Sequence, residues 1–153
     1  MRFARPINTH GKPAKISKPY TPAHGGIDYA YPSGETVFAS EAGVVTIAND
    51  KYDGSWVVGT DRITKRLLRA LTTADYGNLI KIQHSYGFST LYAHLRRGTL
   101  LVKVGDKVRK GQPIAQLNNS GNSTGAHLHW ELRLNNRTIN PVPYVDYGFT
   151  KYL

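Results

Sequence analysis

A mainly β, antiparallel fold in a single domain is what this chain of 153 residues predicts. Three observations lead there. From residue 34 onward, short segments rich in Val, Ile and Tyr alternate with glycine-containing turns. One stretch, 63–71, carries helical periodicity. The length suits one hydrophobic core that closes without disulfide support, which matters because the chain has no cysteine.

Residues 1–21 are rich in Lys, Arg and Pro (Pro6, Pro13, Pro19) and lack periodicity, which predicts an extended basic arm laid over the domain. The domain itself is expected over 22–153. Strands are expected over 36–40, 44–48, 79–84, 89–94, 113–117 and 126–134. Residues 50–73 break this rhythm. Within them Ile63, Leu67, Leu68 and Leu71 share one helical face, with Lys65, Arg66 and Arg69 largely elsewhere. This short helical insertion reads either as a lid that buries its apolar stripe or as a surface element holding an anionic polymer through Arg66 and Arg69. Around Gly105-Asp106 and Gly111-Gln112 a β-hairpin is expected, with Asp106 starting the turn and Gly111 supplying a permissive backbone. Lipoyl and biotinyl carrier domains use a similar string. They need a modified lysine at a hairpin tip and no histidine set, so hairpin geometry accounts for the likeness.

Chemistry concentrates in three segments: His24-Gly25-Gly26-Ile27-Asp28, Tyr92-Ala93-His94-Leu95 and His127-Leu128-His129-Trp130-Glu131. On a strand, His127 and His129 point to one face, with Leu128 and Trp130 on the other. His24 and Asp28 stand four apart across a Gly-Gly pair, so a tight turn brings them together. A hydrolytic zinc site takes three protein ligands from nitrogen and carboxylate donors and leaves a position open. The absence of cysteine excludes a Cys-rich structural zinc site and favours a His/Asp one. Glu131 shares parity with both histidines and reads either as an acceptor orienting an imidazole or as a partner for Arg133. His84 reads as structural and His10 as solvated. Most of the ten tyrosines read as sheet packing.

The formal net charge of +10 would by itself suit a nucleic-acid-binding protein. Nucleic-acid binding explains none of the histidine spacings, and no nucleic-acid partner is expected. Anionic wall polymers and outer-membrane surfaces are polyanionic too, so the charge itself does not discriminate among partners.

In their order, these segments resemble the lysostaphin/LytM-type zinc endopeptidases, which cut peptide bonds in the stem or cross-bridge of bacterial peptidoglycan. The framework around them is similar too, including Tyr76-Gly77-Asn78, Gly105-Asp106 and Ser123-Thr124-Gly125. The resemblance implies a central antiparallel sheet flooring an open groove with loop walls. It implies one zinc ion held by His24, Asp28 and His129, with His94 and His127 as the catalytic pair, and peptidoglycan as the partner of a monomer. Spacing alone does not choose between His127 and His129 as the ligand; the resemblance does. A non-catalytic wall-binding or virion structural domain with a vestigial zinc site is the alternative, and the complete five-residue set argues against it. The basic N-terminus has no apolar run behind it and does not read as an export signal. The expectation is therefore a phage lysis or virion-associated enzyme, made in the cytoplasm and reaching the wall after release or on the virion.

Overall fold

The computed structural model describes residues 1–50, 76–118 and 126–146. Among the described residues ten strands follow one another: β1 (Ile16–Lys18), β2 (Ile27–Tyr29), β3 (Thr36–Phe38), β4 (Gly43–Asn49), β5 (Asn78–Gln83), β6 (Phe88–Leu95), β7 (Lys107–Val108), β8 (Pro113–Gln116), β9 (Leu128–Leu134) and β10 (Arg137–Ile139). Eight of them form one sheet in the order β1-β2-β9-β6-β5-β4-β7, with β10 also paired to β9; β3 and β8 make a separate ribbon. All of these strand pairings are antiparallel. The fold is mainly β, as the short Val-, Ile- and Tyr-rich segments between glycine-containing turns predict. The helical reading of 63–71 lies outside the described residues.

The pleat sorts β9 into two faces. Leu128, Trp130 and Leu132 point into the main core, where they meet Tyr92, Ile80, Ile82 and Tyr29. Trp130 is fully buried. Side chains of this size contribute roughly 1.5–3 kcal/mol each on burial, which pins the register of the strand. His129 and Glu131 therefore face the other way, beside a smaller apolar cluster of Ile47, Leu79, Leu91 and Ala93 packed against Tyr76. A bulge in β4 between Val45 and Ile47 lets these two residues serve opposite faces despite their even spacing.

The N-terminal residues do more than lie over the domain. Phe3 and Ile7 belong to the main core, and Phe3 packs edge-on against His84 and beside Phe88. The backbone is threaded in as well: Phe3 N–H donates to Tyr144 O at 2.8 Å, and Ala4 N–H to Ser40 O at 2.9 Å. Farther along the same segment, β1 joins the end of the main sheet. Charge and proline dominate the composition here, yet the few apolar side chains are the ones inserted.

Candidate metal centre

Sheet register builds the site. Asp28 on β2 lies directly across from His129 on β9, which in turn lies across from Ala93 on β6. Paired residues share a face, so a carboxylate and an imidazole are brought together without any loop having to fold over. His129 Nδ1 sits 2.8 Å from Asp28 Oδ1. His24 arrives from the turn before β2. Gly25 N–H donates to Thr21 O at 2.8 Å, and His24 N–H donates to Thr21 Oγ1 at 3.0 Å.

The Gly-Gly pair has a specific job. Gly25 adopts φ +76°, a left-handed conformation that side chains disfavour. At Gly26 a Cβ would meet Trp130 O at 2.5 Å and His129 Cε1 at 2.9 Å. Only a residue without a side chain lets β2 approach β9 this closely.

Each imidazole is oriented from behind. His24 Nδ1–H donates to Pro19 O at 3.1 Å, leaving Nε2 directed at Asp28 Oδ1, 3.1 Å away. His129 Nε2–H donates to Glu131 Oε2 at 2.8 Å, leaving Nδ1 directed at the same Asp28 oxygen. Two imidazole nitrogens and one carboxylate oxygen thus face a common point and lie within 4.8 Å of one another. Neutral rings held this way would aim lone pairs at an anion, an arrangement satisfied by a proton on each ring or by one shared cation. Nitrogen and carboxylate donors suit zinc. Burial alone would raise the Asp28 carboxyl, but the hydrogen bond and charge from His129 hold it below the ordinary carboxylate value. Burial would lower His129, and its two carboxylate partners overcome this, pushing it up to about 9.

Behind the three donors lies a buried polar network. Glu131 is fully buried. It accepts from His129 and Tyr76, and from Arg133 through Nε at 2.9 Å and Nη2 at 2.7 Å. The sequence offered two readings of Glu131, an imidazole acceptor or an Arg133 partner, and the carboxylate does both with its two oxygens. Burial would raise its carboxyl; the donors from His129 and Tyr76 and the Arg133 charge hold it low instead. Tyr76 is a site residue that the spacing of the three motifs does not reveal. Its ring also stands 5.5 Å from that of His129, and burial together with the Glu131 carboxylate pushes its hydroxyl up.

His94 reaches the site by a departure from strand geometry. By alternation it shares parity with Thr90 and Tyr92, whose side chains point into the protein interior. Between Asn78↔Leu95 and Ile80↔Tyr92 the register shifts, so β6 carries one extra residue there. His94 takes φ +60° at this bulge, and the left-handed twist turns its ring out to the site face. Hydrogen bonds from His94 N–H to Tyr76 O and from Asn118 N–H to His94 O, both 2.9 Å, hold the kink. The His94 ring lies 4.6 Å from His127 and 6.3 Å from His129. Burial, with His127 and His129 as neighbours, pushes His94 down to about 3. His127 enters just ahead of β9, so all five sequence-predicted residues converge. His84 is elsewhere: Nδ1–H donates to Ala42 O at 2.7 Å and Nε2 accepts from Thr90 at 2.8 Å. That agrees with its structural reading.

An open cleft of about 390 Å³ gives access, lined by Lys18, Ala23, His24, Asp28, Tyr76, His94 and His129. A sheet-borne donor set for one divalent cation, with two further imidazoles at its side and an open cleft in front, has the make-up of a metal-dependent hydrolase centre. The comparisons with known proteins agree with that class. The chain belongs to peptidase family M23, whose model matches residues 22–141. It is 37% identical over 119 residues to the DD-carboxypeptidase/endopeptidase Mpg of Neisseria meningitidis, covering 78% of this chain and 22% of that protein. To the peptidoglycan DD-endopeptidase ShyA of Vibrio cholerae it is 36% identical over 118 residues, covering 76% and 22%. Among solved structures it is similar to a zinc containing peptidase from Vibrio cholerae, with a TM-score of 0.68, 26% identity, and coverage of 92% of this chain and 39% of that one. The chain thus spans about a fifth of the length of these two curated relatives.

Proposed function

We propose that this protein is a zinc-dependent endopeptidase that hydrolyses a peptide bond in the stem or cross-bridge of bacterial peptidoglycan. The observation that carries the reading is the convergence of His24 Nε2, Asp28 Oδ1 and His129 Nδ1 at the floor of an open cleft. Membership of the M23 family supports it, as does the likeness to relatives that carry the names DD-endopeptidase and zinc containing peptidase. Those three residues would hold the zinc, with Pro19 O and Glu131 fixing which nitrogen of each ring faces it. When bound, zinc supplies Lewis-acid polarisation of the scissile carbonyl and lowers the pKa of water towards about 7.

The rest of the work falls to the protein. Amide hydrolysis requires a proton to leave the attacking water and another to reach the departing nitrogen. His94 and His127, ring against ring beside the donor set, are the pair available for these two transfers. Burial keeps His94 neutral near pH 7, so one ring nitrogen accepts while the other donates. A donated N–H in this position also stabilises the developing oxyanion. Asp28 stays ionised and offsets part of the cation's charge.

The decisive experiment is fragment release from purified peptidoglycan, followed by mass spectrometry of the products. Release should require zinc, stop on chelation, return on zinc addition, and be absent in His127→Ala. Binding to the wall without any cleavage would instead favour a non-catalytic wall-binding role.

A further inference from the structure

Within the cleft, Lys18 has no place in the chemistry so far. It pairs in register with Asp28 across β1 and β2, so the row Lys18–Asp28–His129–Ala93 runs straight over four neighbouring strands. A lysine directly opposite an aspartate ordinarily closes an ion pair with it. Here the Asp28 oxygen is already engaged by His24 and His129. Among the described residues, no carboxylate lies within ion-pair distance of the Lys18 ammonium. The side chain instead lines the cleft, on an exposed strand at the end of the sheet. At the strand spacing of a β-sheet, its backbone sits two strands, roughly 10 Å, from that of His129.

We infer that Lys18 forms a carboxylate-binding subsite, taking a free carboxylate that the substrate peptide carries a residue or so from its scissile amide. The cleft needs a charge of this kind for selection. The carboxylate on its floor, Asp28, is committed to the metal site, and among the described residues that line the cleft Lys18 alone carries an ammonium. A substrate carboxylate would find a partner already stripped of internal competitors, at a distance that places its neighbouring amide over the donor set. This inference rests on the endopeptidase reading and adds a preference to it.

The test uses the zinc-loaded full chain and two synthetic cross-bridge peptides, identical except that one carries a free carboxylate beside the scissile amide and the other a carboxamide. Wild type should favour the carboxylate peptide by about fivefold in kcat/KM, carried by KM and shrinking as salt rises, as a partly exposed ion pair dictates. Lys18→Met should lose the preference and Lys18→Arg should keep it, with melting temperatures unchanged because the residue is exposed. Equal cleavage of both peptides by wild type, or a preference that survives Lys18→Met, overturns the inference and leaves the enzyme reading intact. The latter result would mean that Lys18 merely guards the sheet edge against pairing with other chains. If wild type cleaves neither peptide, the endopeptidase reading falls. The subsite is then judged by fluorescence polarisation of the same two peptides: carboxylate-selective binding lost in Lys18→Met upholds it, and equal binding overturns it.

Discussion

Replacing Glu131 by Gln exchanges one buried oxygen for an NH₂ group and changes almost nothing in volume. Its consequences follow from what each carboxylate oxygen does. One oxygen accepts both Arg133 contacts, and the other accepts from His129 Nε2 and Tyr76. An NH₂ facing the guanidinium would set donor against donor, so the amide oxygen must stay with Arg133. The NH₂ then faces His129, and it can be accommodated only if Nε2 gives up its proton. That moves the proton to Nδ1, the nitrogen directed at Asp28, and the ring no longer offers a lone pair to a cation. Removing the charge opposite half-buried Arg133 costs roughly 3 kcal/mol, the low end for breaking a buried pair, because the guanidinium keeps some access to water and shape is retained. For a domain of this size that lowers the melting temperature by about 6–12 °C. Zinc affinity should fall by about 10- to 100-fold, as for other residues that orient a ligating imidazole. Competition against a chromophoric chelator measures the affinity, and thermal melts with and without zinc measure the rest. If Glu131→Gln binds zinc as tightly as wild type and gains the same melting shift from it, the tautomer reasoning is wrong.

Other perturbations bear on separate links. Gly26→Ala forces a methyl against the Trp130 carbonyl, and the resulting separation of β2 from β9 should cost about 1–3 kcal/mol and weaken zinc binding, read by the same two assays. Phe3→Ala should cost about 3–5 kcal/mol by emptying a fully buried core position, which denaturant unfolding would register; an unchanged midpoint would mean the N-terminal segment is dispensable. His84 supplies a pH dependence. Burial pushes its pKa below the ordinary 6.5, so folding favours the neutral ring; that stability is complete above about pH 6.5 and is lost as pH falls through 6.5 towards the folded value. Unfolding free energies at pH 7 and pH 5 should therefore diverge more in wild type than in His84→Gln, which binds no proton.

Much of this was legible in the residues, and the failures have physical causes. β4, β5, β6, β8 and β9 fall within a residue or two of expectation, because apolar side chains recur along them and glycines punctuate the ends. β1, β2 and β10 carry no strand signal in the sequence. They are three residues long, and β2 lies inside the His24–Asp28 motif, where alternation has no room to show. Phe3 and Ile7 are buried within a segment whose composition reads as solvated, since composition averages over residues while a core takes them singly. The convergence of His24, Asp28 and His129 was readable from spacing and from the family likeness. The orientation of His94 was not. Strand parity sends it to the core face, and only the bulge against β5, a property of pairing rather than of β6 itself, turns it round.

That dependence on pairing explains why the apolar face of β9 governs the polar one. Asp28 and His129 meet because β2 and β9 are in register, and Glu131 follows two residues later on the same face. A slip of one residue would bury His129 and Glu131 among Ile80, Ile82 and Tyr29 and turn Trp130 out into the cleft. Before a cation is bound, the donor set opposes such a slip only through the pairing of Asp28 with His129. Trp130, Leu128 and Leu132 oppose it with or without a cation, because exposing three fully buried side chains forfeits roughly 4.5–9 kcal/mol. Trp130→Ala should therefore weaken zinc binding as well as stability, although its side chain lies on the face of the sheet opposite the donors. A variant that loses about 3–5 kcal/mol of stability and keeps wild-type zinc affinity in the folded state would show that the donor cluster sets its own register.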